Sequence, residues 1–312
     1  MKNASQLTKG AMFLAIYSII LLITLYIPLL GSITVFFLPL PFILFAVQNN
    51  LRSSLILVVG ALLLSMILGT MLNLPLTWFF TAMGVSIGYL IRQRKHRWFI
   101  LATTSFVTLF NTIVLYGVIV VFFKQNVIKS SMDMVEESYQ MSFKMLESMG
   151  QKPSQQVVQQ LDASLKMFET LMPSIFVIFS FMLVFFVMLI SLPIIKRFGV
   201  KVVDWSPLRE LSLPKSLLWY YLISMGLSLL VNPEPGTYFY IAIANLVFIL
   251  QFAMIIQGVS LIFYYCHVKG LGKAVPIVIV VFSMLLPFLL YIVRIFGIID
   301  LGFNLRNRIV KK

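Results

Sequence analysis

Uninterrupted apolar runs dominate this chain, with polar residues gathered in the short gaps between them. On the scale of roughly 17 to 25 residues that a helix needs to cross a bilayer, they divide it into about nine candidate spans. These are residues 10–31, 33–48, 53–72, 74–91, 98–123, 171–195, 216–232, 237–266 and 274–299. The first, Gly10 to Gly31, holds 22 uncharged residues, more than the core of a cleaved signal, and reads as a retained helix. In the second, "FLPLPFILF" places Pro39 and Pro41 where each removes a backbone donor. In lipid such a break must be re-satisfied by neighbouring helices or face a cavity, so a bent or partly re-entrant element is expected.

One stretch departs from this pattern. Lys124 to Leu171 carries five Lys and six acidic residues, with apolar positions at Ile128, Met132, Val135, Tyr139, Phe143, Leu146 and Met149. That three-four spacing predicts an amphipathic helix. After "GQKP", Gly150 to Pro153, Ser154 is placed to cap a second helix with its own stripe at Val157, Leu161, Leu165 and Phe168. Residues 124–170 therefore predict an extracytoplasmic helical hairpin, which either packs on itself and the bundle rim or covers an outward-facing cavity.

Composition agrees with the run lengths: 60% of the 312 residues are hydrophobic, 11% are charged, and mean hydropathy is +1.00. The expected fold is an all-α polytopic membrane bundle. A formal charge of +14 raises the question of nucleic acid, but the basic residues sit in short clusters between apolar runs, so no nucleic-acid partner is expected. Orientation accounts for them better. The loop "RQRKHR", Arg92 to Arg97, should be cytoplasmic. Counting from it places the N-terminus with Lys2 and Lys9, the Lys196–Lys215 segment and the His267–Lys273 loop on the same side. A nine-span count leaves the basic tail "NLRNRIVKK" outside, against the rule; a hairpin broken at Pro287 would return it to the cytoplasm. Arg294, within the last run, costs about 2.5 to 3.5 kcal/mol to insert, so it should snorkel or pair with Asp300.

Catalytic patterns are sparse, and the protein reads as a non-enzyme. The two histidines, His96 and His267, lie in basic loops, neither H-E-x-x-H nor a P-loop is present, and Cys266 is the sole cysteine; no metal site or cofactor is expected. "GVSIG", Gly84 to Gly88, matches the G-x-S-x-G of serine hydrolases, but it falls mid-helix, where glycines and serine at this spacing serve close helix packing. The intramembrane amides Asn111, Asn245, Gln251 and Gln257 read first as interhelical hydrogen-bonding groups, and Trp78, Tyr116, Tyr238 and Tyr240 as interfacial anchors. Trp78, Asn111 and Tyr116 are the candidates for contact with a neutral or weakly polar small molecule. Gly10, Ala11 and Ala15 form a small-residue face on the first helix, suited either to docking or to packing within the chain.

Residues "LTKGAMFLAIYSIILLITLYIPLLGSITVFFLPLPFILFAV" look like the start of substrate-binding S components of energy-coupling-factor vitamin transporters, in which a first helix with A-x-x-x-A precedes a proline-containing element. The likeness covers about Met1 to Arg197. It implies a six-helix bundle that binds a small molecule from outside and docks, through Ala11 and Ala15, on a membrane scaffold driven by two ATPases. The chain differs in adding about three spans and the 124–170 hairpin. Over nearly its full length it more closely resembles the YybS-like family of uncharacterised multi-span proteins of Gram-positive bacteria. That resemblance rests on "LTKGA", "PLPFILF", "QGVSLIFYY" at Gln257 to Tyr265, and "GIIDLGFNLRNR" at Gly297 to Arg308.

The expected organisation is an S-component-like bundle over 1–197, a cytoplasmic loop over 198–215 and a three-helix extension with a basic tail over 216–312. Its setting is the bacterial cytoplasmic membrane, N-terminus inside. Two functions remain open: a small-molecule binding or uptake component coupled to an ATPase-driven module, and a non-transporting membrane scaffold or assembly factor that binds a protein partner, such as another membrane protein, through the extracytoplasmic hairpin or the cytoplasmic Lys196–Lys215 loop.

Overall fold

The computed structural model describes residues 2–124, 126–150, 154–202 and 207–306, with side chains from Gln6 onward except that of Phe123. Parts of the "GQKP" turn, the Lys196–Lys215 loop and the basic tail thus lie outside the described residues. Among those described, the chain is helical and without strands. Twelve α-helices follow in order: α1 Lys2–Tyr26, α2 Pro28–Thr34, α3 Leu40–Gln48, α4 Leu51–Leu68, α5 Leu74–Arg92, α6 Arg97–Phe123, α7 Val127–Ser148, α8 Gln155–Arg197, α9 Lys215–Val231, α10 Tyr238–Val268, α11 Ala274–Leu285 and α12 Pro287–Phe303. Seven segments are long and apolar enough to cross a membrane, and α9 and α11 are shorter apolar helices. The protein is an all-α polytopic membrane protein. Two compact units are present, Met1–Met134 with Phe179–Asp204, and Val135–Ile178 with Trp205–Lys312.

In the first unit, the 10–31 run does not form one helix. Ile27 is extended (φ −120°, ψ 91°) and α2 starts at Pro28, because a residue before proline is driven out of the helical region. The second span breaks again as expected: a 3₁₀ turn at Val35–Phe37 leads to α3, where Pro41 sits in the first turn and its missing donor costs nothing. The glycines of "GVSIG" explain how this broken element is held. A β-carbon on Gly84 would lie 2.6 Å from the Pro39 carbonyl oxygen, and one on Gly88 2.6 Å from that of Ile43, so α5 and α3 meet backbone to backbone. Ser86 donates to the Ala82 carbonyl at 2.8 Å within its own helix. A buried hydroxyl chain joins three helices, Tyr17 donating to Thr77 at 2.8 Å and Thr77 to Ser65 at 2.7 Å.

Helix α8, whose residues up to Ile178 belong to the second unit and the rest to the first, carries the main departure from the sequence division. The hairpin's second helix and the sixth span form one continuous helix, Gln155–Arg197, through Pro173. Asn245 of α10 explains why. Its Nδ2 donates to the Thr170 carbonyl at 2.7 Å and its Oδ1 accepts from the Ser174 amide at 3.0 Å, so the side chain bridges the backbone pair that the proline disturbs. Ser154 caps this helix as expected, accepting from Val157. The last apolar run divides at extended Leu286 into α11 and α12. Gly258 of α10 and Gly297 of α12 meet the backbone carbonyls of Val293 and Met254, so these two helices cross at backbone contact.

Candidate functional site

The first unit brings together part of the sequence-derived constellation. Gly10 is buried against Leu57 and Phe45, whereas Ala11 and Ala15 are exposed. Ala11 borders an open groove of about 370 Å³ between α1 and α4, floored by Gly10 and Leu57 and edged by Gln6, Ser53 and Gly60. The small-residue face is therefore split: its glycine packs within the chain, its alanines do not.

Trp78 and Asn111 also meet. The Trp78 indole donates to Asn111 Oδ1 at 3.0 Å, and Asn111 Nδ2 donates back to the Val107 carbonyl at 3.0 Å, clamping α5 to α6. Tyr116 stands apart from them: its hydroxyl donates at 3.2 Å to Asn126, whose Oδ1 also caps α7 at Lys129. The Trp78 indole stays half-exposed, and these two bonds use one of the two Asn111 N–H groups.

The densest polar constellation lies in the second unit. Close crossing at Gly258 and Gly297 sets Gln257 beside Asp300, and Gln257 Nε2 donates to Asp300 Oδ2 at 2.6 Å. Arg306 Nε donates to the same oxygen at 3.0 Å. The guanidinium then donates to the carbonyls of Arg209 and Leu211, both at 2.8 Å, and to Ser260 Oγ at 2.9 Å, with the Tyr264 ring 5.4 Å away. Gln257 Oε1 accepts from the Leu213 amide at 2.9 Å, and Ser260 Oγ approaches the carbonyls of Leu208 and Leu211 at 2.7 and 2.6 Å. Gln257 and Ser260 are wholly buried and Asp300 is 4% exposed.

The physical logic runs through the segment that joins α8 to α9. Between Pro207 and Pro214 its backbone forms only a 3₁₀ turn at Leu208–Glu210, leaving polar groups without helical partners. Side chains of α10 and the arginine after α12 supply them. The charge pair is neutral as a unit, and hydrogen bonds from Gln257 to Asp300 Oδ2 and from Arg306 to two carbonyls and Ser260 support it, the condition under which a buried ion pair is tolerated. Its chemistry is that of a latch: the end of the described chain is tied to the α8–α9 connection. Of the two readings of the tail, the contact matches the broken-hairpin one, in which α11 and α12 bring the chain back to the side of that connection.

The sequence pairing of Arg294 with Asp300 is corrected here. Six helical residues rotate a side chain by about 240°, so the two point apart, and Arg294 lies over the Tyr291 ring at 4.8 Å. Asp300 pairs instead with Arg306, which folds back after Asn304 adopts a left-handed conformation (φ 48°). Sequence reasoning did not assemble this site, although Gln257, Ser260 and Tyr264 fall within "QGVSLIFYY", and Asp300 and Arg306 within "GIIDLGFNLRNR". The available signal was an aspartate in a membrane helix, a placement that demands a partner. Among the described residues no group of three or more His, Cys, Asp or Glu is placed to hold a metal.

Comparison with known proteins agrees with the helical membrane architecture. Residues 15–301 match the family described as "Predicted membrane protein (DUF2232)". The chain is 30% identical over 315 residues to "Uncharacterized protein YybS" of Bacillus subtilis (strain 168), with 99% of this chain and 100% of that protein covered. No solved structure matches the chain. On a family match across most of its length and a full-length relative at this identity, the chain belongs to the DUF2232 family of predicted membrane proteins.

Proposed function

We propose that the protein is a small-molecule binding or uptake component of the bacterial cytoplasmic membrane, N-terminus inside, that docks through the Ala11–Ala15 face of α1 on an ATPase-driven coupling module. The observation that supports this reading is the exposure of Ala11 and Ala15 beside the α1–α4 groove. In lipid, helix association relies on close backbone approach, and small exposed side chains permit it. Trp78 and Asn111, with the indole face and a spare amide N–H, are the proposed ligand contacts, and Tyr116 is the third candidate. No catalytic step is assigned to the chain.

The test is purification of tagged wild type and Ala15→Leu from the bacterium's own membranes. Because Ala15 is exposed, leucine should fit without altering the melting temperature. The reading expects an ATPase-bearing module to accompany the wild type and to be lost from Ala15→Leu. Absence of any such module from the wild type, or its retention by the variant, would overturn it.

A second reading, a scaffold that binds another membrane protein, draws on α7. Val135, Tyr139 and Leu146 of its apolar stripe are 43%, 39% and 38% exposed, an uncovered surface on a helix whose stripe should be buried. Val135→Ser with Tyr139→Ser would separate a partner under the scaffold reading and leave it bound under the first.

A further inference from the structure

The second unit holds a half-open cavity of about 760 Å³ bordered by the end of α10, by α11, by the first half of α12 and by Leu305 beyond it. Its wall is almost wholly apolar, built from Ile262, Tyr265, Val278, Phe282, Leu289 and Phe296 among others. Its two hydroxyls are those of Tyr265 and of Ser283, which is spent on the Ile279 carbonyl at 2.7 Å, and polar atoms contribute almost nothing to the lining surface. Such a lining offers nothing to a polar solute and a large contact area to a hydrocarbon. Along α11 the lining runs from Val278 to Ser283, about 9 Å at about 1.5 Å per residue, and along α12 from Leu289 to Phe296, about 12 Å, room for part of an acyl chain in a leaflet about 15 Å deep.

The Leu271 end of the cavity has the opposite character. Leu271 of the α10–α11 connection lines the cavity, and that connection, "HVKGLGK", carries Lys269 and Lys273 and no acidic residue. Lys269 continues the cavity-facing register of Tyr265, one turn on, and its Nζ lies 5.9 Å from the Tyr265 ring centroid. An apolar slot with Lys269 at the rim residue Tyr265 and Lys273 in the same connection is complementary to an amphiphile with an anionic head.

We propose that this cavity is a binding site for one acyl chain of an anionic glycerophospholipid from the surrounding bilayer, with the phosphate held at Lys269 and Lys273. The site is independent of the α1 face.

Native mass spectrometry of the full chain, delipidated in detergent and then offered phosphatidylglycerol or phosphatidylcholine at equal concentration, tests this directly. The expected result is a retained phosphatidylglycerol adduct on the wild type and at least about tenfold less phosphatidylcholine. Lys269→Ala with Lys273→Ala should remove that preference while keeping some lipid. Val278→Trp should abolish the adduct by filling the slot; Val278 is 51% exposed, so the change leaves the helix interface alone. A thermal melt of each variant separates loss of the site from loss of the fold, and Val278→Leu serves as the milder filling variant if tryptophan unfolds the chain. Equal retention of both lipids, no retained lipid, or an adduct undiminished in a folded filling variant would overturn the proposal.

Discussion

Asp300 shows how much one buried carboxylate can organise. Its partners come from α10 and from beyond the end of α12, and through Arg306 the α8–α9 connection is held as well. Removing one member of a buried ion pair leaves the other charged and unpaired, at a cost of about 3–5 kcal/mol, whereas replacing both with apolar groups of similar size is far milder. Arg306→Leu and Asp300→Leu should therefore each lower the melting temperature sharply, and the double variant should recover much of the loss. A double variant as unstable as the sum of the singles would contradict the latch. Part of this was legible in advance, since an aspartate in a membrane helix demands a cation. The identity of that cation was not, because only the left-handed turn at Asn304 returns Arg306 to it.

Among the elements, the apolar runs located nearly every helix, and the Ser154 cap and the Pro39–Pro41 break stand where residue chemistry puts them. The continuity of α8 through Pro173 was hidden, because it depends on Asn245, 72 positions away in sequence. Asn245 makes two hydrogen bonds into the strained ladder and one to Ser174 Oγ at 2.6 Å. Asn245→Leu should leave the Thr170 carbonyl and Ser174 amide unpaired in an apolar setting and cost about 1–3 kcal/mol. Adding Pro173→Ala restores a regular helix there, so the double variant should melt above Asn245→Leu alone. Failure of the alanine to rescue would show that Asn245 acts elsewhere. At Gly84 the constraint is steric: Gly84→Leu would drive a side chain into the Pro39 carbonyl and should prevent recovery of folded protein, read by size-exclusion chromatography.

At the scale of the whole molecule, the chain is a multi-pass helical membrane protein of the DUF2232 family whose two compact units present different surfaces. The first leaves Ala11 and Ala15 open at one end of α1; the second holds a half-open apolar cavity and a buried latch. Composition and periodicity could place α1 in a membrane but could not say which of its faces remain uncovered, because coverage depends on where α3 and α4 pack. That exposure is the foundation of the proposed function. The most direct measurement is site-specific crosslinking in intact membranes, with Ala15→Cys in a Cys266→Ser background and a short bifunctional thiol reagent. The account predicts a crosslink from position 15 to a component of an ATPase-driven module, absent when the cysteine is placed instead at exposed Ile67 on α4. A crosslink from position 15 only to a second copy of this chain, or the same partner captured equally from both positions, would contradict it.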